Sequence, residues 1–255
     1  LSLQRRRAEL LAQLGYPADY LSEKPRCPLC GDTGYRGDGL CSCLKKYYAQ
    51  EQIRELSRML DIGSQSFDTF ELDWYSPDRG SLPRSPRENA QRNLNLCRDF
   101  AARFRPGREN LLLFGAPGLG KTFLSACIAR VVSEDGFSVV YDTAGHVFSQ
   151  FESAKFRRDD DGDTAGEDVE RCMNCDLLIL DDLGTEMTTS FVQSALYQLL
   201  NGRLLAGKST VISTNLDPEE LGRRYGAPLL SRLEGEYQLL PFVGTDIRRL
   251  KREQG

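Results

Sequence analysis

The chain has 255 residues, of which 40% are hydrophobic, 27% charged and 9% aromatic, with a formal net charge of −4 at neutral pH. That length suits one large domain, or one with a small appendage, and the charge balance excludes a globally basic nucleic-acid binder. Apolar runs such as Leu111–Phe114 and Leu177–Leu180 fall far short of the roughly 20 residues a membrane span needs, and the Arg5-Arg6-Arg7 start has no apolar stretch after it, so the chain reads as cytoplasmic with no membrane partner.

Leu1 stands where an initiator Met would, so the numbering reads as beginning inside a longer or processed chain. Charge is uneven: residues 1–60 carry +3 and the remainder −7, with seven acidic residues between Asp159 and Glu170. Any nucleic-acid contact is therefore expected to be a local groove. Eight cysteines without a secretory signal read as metal ligands or buried thiols and not as disulfides.

In chain order, Leu3, Leu10, Leu11 and Leu14 predict a helix ending near Gly15-Tyr16-Pro17. A glycine-rich, turn-rich stretch follows, in which Cys27-x₂-Cys30 and Cys41-x-Cys43 supply four thiolates at a spacing that can close tetrahedrally on Zn²⁺. So short a stretch with so few apolar residues needs such a staple to hold its shape. A second helix is expected over 44–60. Ser76 to Arg87, with three prolines, reads as a loop or linker, and Glu88 to Phe104 as a helix. The organisation expected is a zinc-binding helical module over 1–60, a linker over 61–87 and a nucleotide-binding domain over 88–255.

Beyond residue 104 strands alternate with helices. Strands are expected at Leu111–Phe114, Phe137–Tyr141, Leu177–Leu180, Thr210–Ser213 and Tyr237–Phe242. Helices are expected at Thr122–Ser133, Gly145–Phe156 and Ser190–Leu205, and an exposed acidic loop at Asp159–Glu167. This is an α/β pattern, a parallel sheet covered by helices on both faces. Between the first strand and its helix lies Gly115-Ala116-Pro117-Gly118-Leu119-Gly120-Lys121-Thr122, a complete phosphate-binding loop. Its glycines let backbone N–H groups cradle phosphate oxygens, Lys121 reaches the terminal phosphates and the Thr122 hydroxyl ligates Mg²⁺.

Leu177-Leu178-Ile179-Leu180-Asp181-Asp182 sets two carboxylates at a strand's C-terminal edge, where ligands of parallel sheets bind. Asp181 is the expected Mg²⁺ partner and Asp182 the group that polarises the attacking water, with Glu186 in reserve. Asn215, closing Val211-Ile212-Ser213-Thr214, can orient that water. Arg can stabilise charge on a transferring phosphoryl group. Chemistry alone does not separate Arg232 and Arg248 from Arg203 or Arg224 for this role. His146 reads as a helix-surface residue, and Cys97, Cys127, Cys172 and Cys175 as core.

Taken in order, the phosphate loop, Leu-Ile-Leu-Asp-Asp-Leu-Gly, Ser-Thr-Asn-Leu, Ser-Arg-Leu and Gly-Thr-Asp-Ile-Arg-Arg resemble the AAA+ ATPases of the DnaC/DnaI helicase-loader group, which includes the IstB transposition helpers. The resemblance runs from about Phe67 to Lys251. It implies an AAA+ P-loop fold and ATP hydrolysis, weak until DNA or a partner stimulates it. It makes Asn215 sensor 1, Arg232 an arginine finger acting on a neighbouring subunit during ATP-dependent self-association, and Arg248 the sensor 2 arginine. The few residues after Arg249 leave no full helical lid, as expected of the loader group.

The resemblance also implies that the zinc module docks on a replicative helicase. It implies too that the Gln150–Arg158 region, through Lys155, Phe156, Arg157 and Arg158, faces single-stranded DNA. An amphipathic helix with core Phe and solvated Arg accounts equally well for that region. Two other readings of the whole remain open: a transposition helper on duplex DNA, and an adaptor that uses ATP as a switch without hydrolysing it.

Overall fold

The structure is a computed structural model describing residues 2–17, 20, 25–37, 39–48, 51, 65–156 and 164–254. It divides into two compact units, Leu1–Tyr47 and Tyr48–Gly255.

The first unit opens with α1 (Ser2–Gln13), on which Leu11 is the buried apolar residue. A minimal antiparallel hairpin, β1 (Tyr35–Arg36) against β2 (Gly39–Leu40), follows, and residues 42–47 are helical. Of the helix expected over 44–60, residues 49, 50 and 52–60 lie outside the described residues.

The second unit is built on five parallel strands: β3 (Leu111–Gly115), β4 (Val139–Thr143), β5 (Leu177–Leu183), β6 (Ser209–Thr214) and β7 (Gln238–Phe242). Their order is β4-β5-β6-β3-β7. The central strands read as unbroken apolar runs because both sheet faces are covered. Alternation sends Leu111, Leu113, Leu177 and Ile179 into a core with α2 (Pro86–Ala102) and α3 (Lys121–Glu134). It sends Leu112, Leu178, Leu180 and Ile212 into a second core. That core is closed by α4 (Ala144–Phe156), α5 (Thr164–Asn174), α6 (Ser190–Leu205), α7 (Pro218–Tyr225) and α8 (Ala227–Glu236). The last helix is α9 (Ile247–Gln254).

Capping chemistry sets several boundaries. Ser85 accepts from the Glu88 N–H while the Glu88 side chain reaches back, with Pro86 in the first turn, so α2 starts two residues before the expected Glu88. Asp217 and Glu220 form the same box on α7. Helix α5 begins inside the stretch expected to be an acidic loop, of which 159–163 lie outside the described residues. Ahead of α2, two short 3₁₀ turns, Phe67–Thr69 and Leu72–Trp74, bury Phe67 and Tyr75 in the second unit. On the outer strand β7, the Asn93 side chain of α2 donates to the Pro241 carbonyl at 2.8 Å. Among the described residues no helix is long and apolar enough to cross a membrane.

Candidate functional site

The phosphate loop joins β3 to α3, as its sequence requires. Gly118 adopts φ 74°, and a Cβ there would overlap the Asp246 carboxylate, so no other residue fits without displacing it. Lys121 is buried, and its ammonium donates to the carbonyls of Gly115 (2.6 Å) and Ala116 (2.8 Å) and to Asn215 Oδ1 (2.8 Å). Burial draws its pKa down, against the pull of Asp182 and Asp181 in the other direction.

Asp181 is 2% exposed, at the C-terminal end of β5. It accepts from Tyr141 Oη at 2.9 Å, from the Ser213 hydroxyl and, at 3.4 Å, from the Thr122 hydroxyl. The expected pair Thr122 and Asp181 is thus brought together. A register shift in β5 between Leu180 and Leu183, with Asp182 at φ 53°, turns the second carboxylate into the cleft. The Asp182 N–H is held by Ser213 Oγ at 3.1 Å. Burial, then Asp181, raises the Asp182 pKa above the ordinary aspartate value.

The cleft, about 320 Å³, is also lined by Pro117–Phe123, Asn215 and Arg248. Its far wall was not anticipated: Phe70, Glu71, Trp74 and Tyr75 come from the turn-rich segment ahead of α2. Tyr75 Oη donates to the Leu119 carbonyl at 2.9 Å, and Phe70 packs against both Tyr75 and Phe123. Trp74 donates to Glu71 at 2.5 Å, Lys251 pairs with Glu71 at 3.0 Å, and the Lys251 ammonium lies 5.2 Å from the Trp74 ring.

The arginine candidates separate. Arg203 is 0% exposed, its guanidinium donating to the Cys172, Met173, Cys175 and Ser209 carbonyls and to Thr210 Oγ1. It is a core strut. Arg224 is tied to Thr188 and to the Glu186 carbonyl. Arg248 lines the cleft, and Arg232 is exposed on α8, outside the cleft lining. The Glu186 carboxylate accepts from the Gly184 N–H at 3.0 Å and from the Tyr225 hydroxyl and is not part of the cleft lining, whereas Asp182 is.

In the first unit, the sulfurs of Cys27, Cys30, Cys41 and Cys43 lie within 4.8 Å of one another, with Cys27–Cys41 at 3.8 Å and Cys30–Cys43 at 3.4 Å. A tetrahedron with Zn–S bonds of about 2.3 Å has S···S edges of about 3.8 Å, so the donor set fits zinc. Asp32, at φ 65°, clamps the turn by accepting from the N–H groups of Arg26 (2.9 Å) and Cys27 (2.7 Å), which draws its pKa down. Cys97, Cys127, Cys172 and Cys175 are buried, as expected.

Lys155 sits over the Phe191 ring at 5.1 Å, and Phe156 ends α4. Arg157 and Arg158 lie outside the described residues. Phe151 packs on the second core, as the amphipathic reading of that helix expects. His146 is exposed, its Nδ1 2.6 Å from Asp142.

The family model described as "IstB-like ATP binding protein" matches residues 88–249. The uncharacterized protein YdaV of Escherichia coli is 28% identical over 140 residues, 55% of each chain. The replicative helicase loader DnaC of the same species is 24% identical over 146 residues, 57% of this chain and 58% of that one. This chain thus spans little more than half the length of the curated relatives it matches. The crystal structure of the DnaC helicase loader shares the fold at a TM-score of 0.58, with 21% identity, over 72% of this chain and 99% of that one.

Proposed function

We propose that this chain, which belongs to the IstB-like ATP-binding protein family, is an ATP-dependent loader of a replicative DNA helicase acting in the cytoplasm. One observation carries the chemistry: Lys121, Asp182, Asn215 and Arg248 line a single cleft, with Asp181 and Thr122 bonded at its base. Backbone N–H groups of the Gly115–Thr122 loop, Pro117 excepted, hold the phosphates of ATP, and the Lys121 ammonium exchanges its bonds to the loop carbonyls for phosphate oxygens. Thr122 and Asp181 would hold Mg²⁺, which would supply charge neutralisation at the terminal phosphates. Asp182 and Asn215 orient the lytic water, Arg248 contacts the nucleotide from its own chain, and Arg232 acts on a neighbouring copy.

The loader reading is supported by the likeness to DnaC and by the four-cysteine module, which holds Zn²⁺ and docks on the helicase. Lys155, Phe156, Arg157 and Arg158 contact single-stranded DNA. The second reading is a transposition helper on duplex DNA, the role that the resemblance to the IstB helpers implies. Asp182, shorter than a Glu and so less able to reach a water, favours a non-hydrolysing switch as the third.

Light scattering after gel filtration, of this protein with the replicative helicase of its host, tests the proposal. A mixed complex that forms with an ATP analogue, requires residues 1–60 and responds to Lys121→Ala is expected. No complex under any nucleotide condition overturns the loader reading. Unchanged ATP affinity and turnover in Lys121→Ala overturn the chemistry.

A further inference from the structure

Helix α9 touches both walls of the cleft through backbone and side chain. The Ile247 N–H donates to the Gly118 carbonyl at 3.0 Å, so the helix starts on the phosphate loop itself. Asp246 caps that start: its Oδ1 accepts from the N–H groups of Arg248 (2.9 Å) and Arg249 (3.4 Å), while the same carboxylate lies against the face of Gly118 that carries no Cβ. One turn on, Lys251 fastens the helix to Glu71 and Trp74 on the opposite wall. Arg248 is the second residue of α9, so its direction follows from how the cap is seated.

We propose that Asp246 is a positioning residue that docks α9 on the phosphate loop and so sets Arg248 against the bound nucleotide. The inference rests on reading the cleft as an ATP site. Its physical content is that a shift in the Gly118 peptide on phosphate binding passes to Arg248 through two short links, the Gly118 carbonyl and the Asp246 carboxylate. Without the carboxylate, α9 keeps one bond to the loop and its first N–H groups lose their acceptor. Asp246 has no contact with the reacting phosphate in this role, so its effect is exerted through Arg248 alone.

The test uses the full chain and four variants: Asp246→Ala, Asp246→Asn, Arg248→Ala and the Asp246→Ala/Arg248→Ala double. Single-turnover ATP hydrolysis is measured, together with energy transfer from Trp74, the only tryptophan, to a fluorescent ADP analogue. Asp246→Ala and Arg248→Ala are each expected to slow hydrolysis by about tenfold, and the double variant by about tenfold and not a hundredfold, because both remove one interaction. Asp246→Asn, which can still cap, stays within about threefold of the parent.

Hydrolysis at the parent rate in Asp246→Ala, losses that multiply in the double variant, or no effect of Arg248→Ala each overturn the inference. If Asp246→Ala does not fold, loss of hydrolysis in a folded Asp246→Asn protein also counts against it. Lys121→Ala separates the two levels. Where it abolishes energy transfer while Asp246→Ala is silent, only the positioning role fails; where it leaves binding intact, the ATP site itself fails.

Discussion

Arg203 shows how little an arginine's position in the sequence says about its work. It occupies a helix ahead of a strand, as an arginine finger does, yet its guanidinium is sealed beneath α5 and bonded to four carbonyls and a hydroxyl. Those acceptors lie at the end of α5 and the start of β6, where the helix's last carbonyls lack intrahelical donors. Arg203→Met keeps the volume and strands them in a dry interior. A loss of about 3 kcal/mol or more in a urea titration is expected, and a loss below about 1 kcal/mol would show that water reaches the site. The helix-start residues Lys121 and Thr122 and the strand-end residues Asp181 and Asn215 were legible because their chemistry demands a fixed place after an apolar run. Burial of a charge, by contrast, leaves no local signature, and Tyr141 and Ser213, which hold Asp181, carry none either.

At the level of elements, the strands and α6 could be read from apolar runs and periodicity to within two residues or so at most ends. Helices α5, α8 and α9 were not among the expected elements, and two further features show why the rest could not be read. Helix α7 carries an Asp217-Pro218-Glu219-Glu220 cap that the pattern does contain, but it is only eight residues long with two buried side chains, too few for a periodic stripe. The wall built from Phe70, Glu71, Trp74 and Tyr75 has no periodicity at all, since each residue is placed by a 3₁₀ turn and a partner far along the chain. That wall titrates. The Trp74 indole N–H, then Lys251, hold the Glu71 carboxyl below its ordinary value of 4.5. A depressed folded value means the clasp stabilises the folded state fully above the unfolded pKa, and this is lost as pH falls through the folded one. Trp74 emission should therefore change with a midpoint below 4.5, and the change should vanish in Glu71→Gln. A midpoint at or above 4.5 would count against the clasp.

For the whole molecule, the division into two units reflects two ways of being stable. The second unit buries two apolar cores against a sheet. Among its described residues the first has three buried apolar side chains, Leu11, Cys27 and Cys41, of which two are candidate metal ligands. Its fold is thus expected to depend on zinc while the other does not. Treatment with a strong chelator should release one Zn²⁺ per chain, open the first unit to protease and abolish helicase binding, while binding of an ATP analogue to the second unit persists. Protease resistance that survives metal removal would mean that the thiols are not its staple. In composition, the paired cysteines and the apolar strand pattern fall in different segments of the chain.

The bond from Asn93 to Pro241 has a consequence for handling as well as for assembly. The outward edge of β7 offers a proline, which has no N–H to give, and a carbonyl already occupied by an amide from α2. A sheet capped in this way resists extension by a stray strand, the usual seed of fibrous aggregates. At this edge of the sheet, contact between two copies of the chain would therefore rest on side chains and helix ends and not on strand addition.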